Sequence, residues 1–231
     1  MSSIAANNIS RLDAVCPYAN AGTTLTQTLY IMERRAHSFI SQAAANQTRA
    51  HEIIRETGII ESWEAIGAKV NLIGSLATGL LMDHLDIDFH IYTDRLIPAD
   101  SSAAVAAIAA ASDRFTNVTY TNLINTEEEC IEWHAWYRDT DGRTWQIDMI
   151  HIRRGSAFDG FAERMAHRIS EVLTPQTRET ILRLKHATPD DMKIPGVEYY
   201  AAVLSAGITD YDDFLRWRTA SDTSDLINWL P

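Results

Sequence analysis

K-V-N-L-I-G-S-L-A-T-G-L-L-M-D-H-L-D-I-D-F-H-I-Y-T, residues Lys69 to Thr93, divides into a short apolar strand (Val70–Ile73), a Gly74-Ser75 turn, one or two helical turns, and a second strand that opens on Asp86-Ile87-Asp88. From Asp86 the residues alternate: Asp86, Asp88, His90 and Tyr92 fall on one face, Ile87, Phe89 and Ile91 on the other, the period of a half-buried strand. Two carboxylates therefore share a face two residues apart and repel unless a positive charge sits between them. A hard divalent cation answers that need, because Mg²⁺ takes carboxylate oxygens and completes its shell with water and phosphate oxygens. Gly74-Ser75 suits an anion: glycine lets the backbone approach a ligand, serine adds a hydroxyl, and unpaired N–H groups open the helical turn that follows. A phosphate cradle beside a metal-holding pair of acids is a nucleotide site.

Ile73-Gly74-Ser75, ten intervening residues, then Asp86-Ile87-Asp88-Phe89 resembles the signature of the DNA polymerase beta-like nucleotidyltransferase superfamily. The longer run from Gly74 to Tyr92 is similar to a group of small bacterial nucleotidyltransferases. The resemblance implies a mixed sheet carrying three acids, two from the motif and a third from a later strand. T-W-Q-I-D-M-I-H-I (Thr144–Ile152) supplies the candidate: Asp148 lies mid-strand between Ile147 and Met149, where an unpaired charge is costly to bury. His151, on the Trp145, Ile147 and Met149 side, reads as a packed or surface histidine.

Composition narrows the substrate. The 231 residues, 46% hydrophobic with six tryptophans, can bury a sizeable core. The formal charge of −11, without a lysine- or arginine-rich run, works against loose binding to a phosphate backbone. Cys16 and Cys130 have no Cys or His partner at metal-ligand spacing and read as reduced thiols. With no leader-like segment and no eighteen-residue apolar run, the expectation is a soluble cytoplasmic protein with no membrane partner.

Outward from the motif, Met1–Asn20 reads as an arm. Thr24 to about Thr57 reads as a helix capped by Thr23 or Thr24 and ended by Gly58, and Ile59–Ile66 as a connection. After a loop over Asp94–Asp100, an alanine-rich helix is expected from Ser101 to about Arg114, its small residues suited to packing on a sheet. Strands follow at Asn117–Leu123, Ile131–Tyr137 and Thr144–Ile152, the last two joined through an Asp141-Gly142 turn, and the acidic run Glu127–Glu129 reads as a solvated loop. The remainder turns helical: Ala157–Leu173, then Gln176–His186 behind Thr174-Pro175, Pro195-Gly196 through Ser205, Tyr211–Thr219, and a short segment at Asp222–Leu230. The fold class expected is α+β: a small mixed-sheet nucleotidyltransferase core (59–155) between an N-terminal arm and helical region (1–58) and a C-terminal helical bundle (156–231).

The resemblance implies transfer of a nucleoside monophosphate from a nucleoside triphosphate to an acceptor hydroxyl, with release of pyrophosphate. Asp86, Asp88 and Asp148 would hold two Mg²⁺ ions, or Mn²⁺, with Asp148 also placed to accept the hydroxyl's proton, and Gly74 and Ser75 would hold the distal phosphates. Lys185 and Arg183, in the helical half, are candidate triphosphate contacts. His90 and Tyr92 share the acidic face and either touch the base or acceptor or merely line the strand. Acidity favours a small molecule or a protein side chain over an RNA end as acceptor. The rival reading is a non-catalytic, antitoxin-like member acting through protein contacts.

Overall fold

The computed structural model describes residues 21–221, 226 and 229–231, with side chains from Phe39 onward. The chain divides into two compact units, Met1–His37 and Ser38–Pro231. The first is described only as helical backbone from Ala21, and the second carries the sheet and the cleft. The expected arm at 1–20, Cys16 and most of Asp222–Leu230 lie outside the described residues.

Helix α1 (Ala21–Thr57) already includes Thr23 and Thr24, so neither caps it. Gly58, in the left-handed region at φ 59, turns the chain not into a connection but into a second helix, α2 (Ile59–Glu64). Ile59 and Trp63 lie one turn apart and are both fully buried, which is what holds that short helix in place. β1 (Lys69–Ile73), a single turn α3 (Gly74–Ala77) and β2 (Asp86–Thr93) come next. α4 (Pro98–Ala110) starts earlier than the alanine run suggested, because Pro98 takes the first helical turn, where its missing N–H costs nothing.

β3 (Phe115–Leu123), β4 (Cys130–Arg138) and β5 (Thr144–Arg153) complete a five-stranded mixed sheet of order β1-β2-β5-β4-β3. β5 enters between β2 and β4, parallel to the first and antiparallel to the second. One face of the sheet, with Ile87, Phe89, Ile91, Ala135, Tyr137, Trp145, Ile147 and Met149, packs on α1, α2 and α4 to form the main core. Helices α5 (Phe161–Val172), α6 (Pro175–Ala187), α7 (Gly196–Leu204) and α8 (Tyr211–Ala220) build a second core around Ile169, Ile181, Leu184, Tyr199 and Phe214. Thr174 caps α6, its hydroxyl accepting from the Thr177 N–H, with Pro175 in the first turn. The class is α+β, as the order of elements in the chain implies.

Candidate active site

Register places the acids. Across the β2–β5 pair Asp88 stands opposite Asp148, and neighbouring strands lie about 4.8 Å apart. The same row continues to His134 on β4 and Thr119 on β3. A second row runs Asp86, Gln146, Trp136, Asn117, and a third His90, Ile150, Glu132, Thr121. The sheet face turned away from the main core thus carries the three sequence-predicted acids on two adjacent strands, although sixty residues separate Asp88 from Asp148 along the chain.

Asp148 is held from two sides. Gln146 Nε2 donates to both its oxygens, at 3.0 and 3.1 Å, and His134 Nδ1 lies 2.7 Å from Oδ1. Asp88 is less well compensated: burial first, then the charges of Asp148 and Asp86, pushes its carboxyl up to about 7, against the opposing pull of Lys185. Burial, then Asp148, pushes Asp86 up as well, opposed by His84, Lys185 and Lys193. Among the described residues no three acidic, histidine or cysteine side chains are drawn together into a closed cation cage. Uncompensated carboxylates repel, and the donors on Asp148 hold it where it is.

The backbone over the acids is built around glycine. Gly74 has φ 68, and a β-carbon there would come within 2.1 Å of Asp88 Oδ2, so residue 74 can carry no side chain without moving the acid. The loop from Leu76 to Met82 is pinned through its carbonyls by four side chains: Gln47 on Leu76, Arg178 on Gly79, Lys185 on Leu80 and Asn46 on Met82. Asp83 accepts from Gln42 and pairs with His186. Leu76 and Leu81 bury in the main core, Leu80 in the helical one, so this loop is fastened to both.

Gly74, Ser75, Asp86 and Asp88 line a cleft of about 550 Å³ whose opposite wall carries Lys185, Lys193 and Tyr200. Lys185 Nζ sits 5.5 Å from the centre of the Tyr200 ring. Burial pulls its pKa down to about 8, with Asp86 and Asp88 opposing. Arg183 is exposed and donates to the Thr209 carbonyl, away from the cleft. Tyr92 is buried, its hydroxyl donating to Glu163 and meeting His90 Nδ1 at 3.2 Å, while Asn71 also donates to Glu163. Those two strand residues fasten α5 to the sheet. His151 is buried against Trp63 and paired with Thr93. Of the candidates, Gly74, Ser75, Asp86, Asp88 and Lys185 meet in one cleft, with Asp148 beside Asp88 on the same sheet face; His134, Gln146 and Lys193 join them without a motif to announce them.

No family model and no curated protein matches the chain. Among solved structures it is similar to a chain of the GLD-2–GLD-3 poly(A) polymerase complex, 9% identical over 77% of this chain and 60% of that one, with a TM-score of 0.51. It is also similar to the Cid1 poly(U) polymerase bound to MgATP, 13% identical over 72% of this chain and 55% of that one (TM-score 0.49), and to the GLD-2/RNP-8 complex, 9% identical over 79% and 71% (TM-score 0.45). The chain spans about 60% of the length of the first of these. What the likeness to the first of these establishes is the fold alone.

Proposed function

We propose that the chain is a metal-dependent nucleotidyltransferase that moves a nucleoside monophosphate from a nucleoside triphosphate to an acceptor hydroxyl and releases pyrophosphate. The observation that carries this is one arrangement: Asp88 opposite Asp148 on adjacent strands, beneath a glycine that only an unsubstituted backbone fits, with Lys185 across the cleft. The fold shared with the poly(A) polymerase supports it.

The carboxylates fit a hard divalent cation. They offer oxygen donors only, and the burial that, with the neighbouring carboxylates, pushes Asp86 and Asp88 up is a cost that a bound cation would offset. Asp86 and Asp88 would hold such ions, with Asp148 sharing one of them; Mg²⁺ or Mn²⁺, when bound, supplies charge neutralisation at the triphosphate and Lewis-acid activation of the attacking hydroxyl.

The rest falls to the chain's own groups. Ser75 and the backbone at Gly74 receive the distal phosphates, and Lys185 and Lys193 on the opposite wall balance their charge. The acceptor oxygen attacks the α-phosphorus while the bond to the β-phosphate bridging oxygen breaks, and the hydroxyl proton passes to Asp148. Gln146 and His134 keep that carboxylate turned to one position, so no reorientation is needed at the moment of transfer. Cys130 is a buried free thiol and does not line the cleft. No described helix is long and apolar enough to cross a membrane.

Thermal melts with ATP, GTP, CTP and UTP, with and without Mg²⁺, on wild type and Asp88→Ala test the proposal. The expected result is metal-dependent stabilisation by a triphosphate that vanishes in the variant. Stabilisation by none of the four would instead favour a fold retained for protein contacts.

A further inference from the structure

The two edges of the sheet are protected unequally. β1 is five residues long, opens on Lys69 and is tied to α5 by the hydrogen bond from Asn71 to Glu163; shortness, lysine and cover are common guards of an edge. β3 has none of these. Its nine residues, F-T-N-V-T-Y-T-N-L, include no charge, proline or glycine, and among the described residues it pairs on one side alone, with β4. A register shift between Phe115 and Asn117 lies at its start and leaves the run from Asn117 to Leu123 regular. Along that run alternate N–H and C=O groups point away from β4, and Thr119, Tyr120, Thr121 and Asn122 are exposed.

The ends of this neutral strand differ in charge. At its start stand Asp113 and Arg114, with Arg138 beside them where the Arg138 N–H donates to the Arg114 carbonyl. At its finish the turn into β4 carries Glu127, Glu128 and Glu129, of which Glu129 is paired with Arg153. The start is therefore net positive and the finish net negative, in a chain whose overall charge is −11. Two copies of such a chain repel over most of their surfaces. Antiparallel pairing of β3 with β3 joins the neutral strands and sets each positive end against the other copy's acids, whereas parallel pairing would set like ends together.

The side chains fit the same arrangement. A two-fold axis at Thr119 places that residue opposite its own copy, Val118 opposite Tyr120 and Asn117 opposite Thr121. A β-branched residue then faces an aromatic one on the side shared with Ala135 and Trp133, and hydroxyls and amides meet on the other, the pairings that favour adjacent strands. An axis at Val118 or at Tyr120 instead sets Tyr120 opposite Thr116 or Val118 opposite Asn122. We propose that the partner of this edge is a second copy of the chain, and that antiparallel pairing of β3 about Thr119 joins two five-stranded sheets into one of ten strands. The axis lies three strand spacings, about 14 Å, from β2 and its acids, and the inference does not depend on the reaction proposed for the cleft.

The association is tested on the full chain, under reducing conditions, by sedimentation velocity from low- to high-micromolar concentration. A reversible monomer–dimer equilibrium is expected. Asn117→Lys should weaken it by about tenfold or more, and adding Thr121→Glu to the same chain should recover it, because the two positions face each other across the axis. Recovery by a second substitution separates a lost contact from a lost fold. Thr119→Cys should crosslink to its copy under mild oxidation, since Cα atoms opposite each other on paired strands lie about 5 Å apart, within reach of a disulfide. Thr121→Cys, about 13 Å from its copy, should not, and wild type, with Cys16 and Cys130, gives the background. A monomer at every concentration, a dimer indifferent to Asn117→Lys, or crosslinking through Thr121→Cys as ready as through Thr119→Cys overturns the proposal.

Discussion

Gly74 and Asp88 are packed so closely that a β-carbon on residue 74 would lie 2.1 Å from one carboxylate oxygen and 2.8 Å from the carboxylate carbon. Asp88 is short and sits on a paired strand, so it cannot swing aside cheaply, and φ 68 at residue 74 adds strain for any other residue. Gly74→Ala is therefore expected to lower stability by about 1–3 kcal/mol and to abolish metal-dependent nucleotide stabilisation, because it displaces the acid itself. Denaturant melts give the first and thermal shifts with Mg²⁺ and triphosphate the second; a variant that binds nucleotide normally would show that the contact is not needed.

Asp88 also sets a pH signature in the metal-free chain. Its carboxyl is held near 7 in the folded state and 3.8 is its ordinary value, so between about 4 and 7 the folded chain keeps a proton that the unfolded chain has released. Stability therefore falls as pH rises through that window. Asp88→Asn removes the buried charge and should flatten the fall. At pH 8 with chelator present it should be more stable than wild type by about 1 kcal/mol or more, roughly 2–4 °C for a chain of this size. A variant that melts below wild type at that pH would contradict the electrostatic account.

His134 is expected to act through Asp148. His134→Ala removes one of the two donors that orient the carboxylate, and a rate loss of about tenfold to a hundredfold is expected, with little change in the KM for the triphosphate. Asn at the same position can present an amide N–H near the place of Nδ1 and should recover part of the rate. Equal losses for both variants would point to a general packing defect.

Lys185 joins the two halves of the site electrostatically. Its ammonium donates to the Leu80 carbonyl at 2.8 Å and faces Asp86 and Asp88. Lys185→Met should weaken triphosphate binding by about tenfold to a hundredfold, read by titration calorimetry. Arg183→Met, on the same helix but on its exposed side, should leave that affinity unchanged.

Much of the fold was legible in the chain itself, and the parts that were not share a cause. The alternation from Asp86 to Tyr92, the turn at Asp141-Gly142 and the Thr174-Pro175 helix start are local patterns, and each is where the periodicity puts it. Asp148 could be singled out because a charge in mid-strand is locally odd. His134, Gln146 and Lys193 carry no such oddity: a histidine in β4 or a glutamine in β5 looks ordinary until register sets it beside Asp148. The signal that could have found Gln146 and His134 is the alternation itself, since both occupy the outward phase of their strands. Likewise α2 was hidden because six residues are too few to show a helical period, and its stability comes from Trp63 packing against the sheet.

One stabilising cluster lies away from the cleft. Arg49 clamps Asp139 through two hydrogen bonds, at 2.8 and 2.7 Å, and also meets Glu52 and Glu56. Asp139 is 2% exposed at its side chain, and Arg49 pulls its carboxyl down to about 2. Since that value is depressed, the pair stabilises the fold above about pH 4 and its contribution is lost as pH falls toward 2. Arg49→Ala should cost about 3 kcal/mol at pH 7 and much less at pH 3, read by urea melts at the two pH values, while nucleotide affinity stays as in wild type.

The loop from Leu76 to Met82 places side chains in both hydrophobic cores and takes donors from α1 and α6 alike. It is a hinge pin between a sheet layer and a helical layer, and the acids and Lys185 face each other across the seam it holds. A triphosphate with its cations would span that seam as a removable crosslink. The empty chain should then show the helical layer loosening before the sheet in hydrogen exchange, and the loaded chain should open as one body.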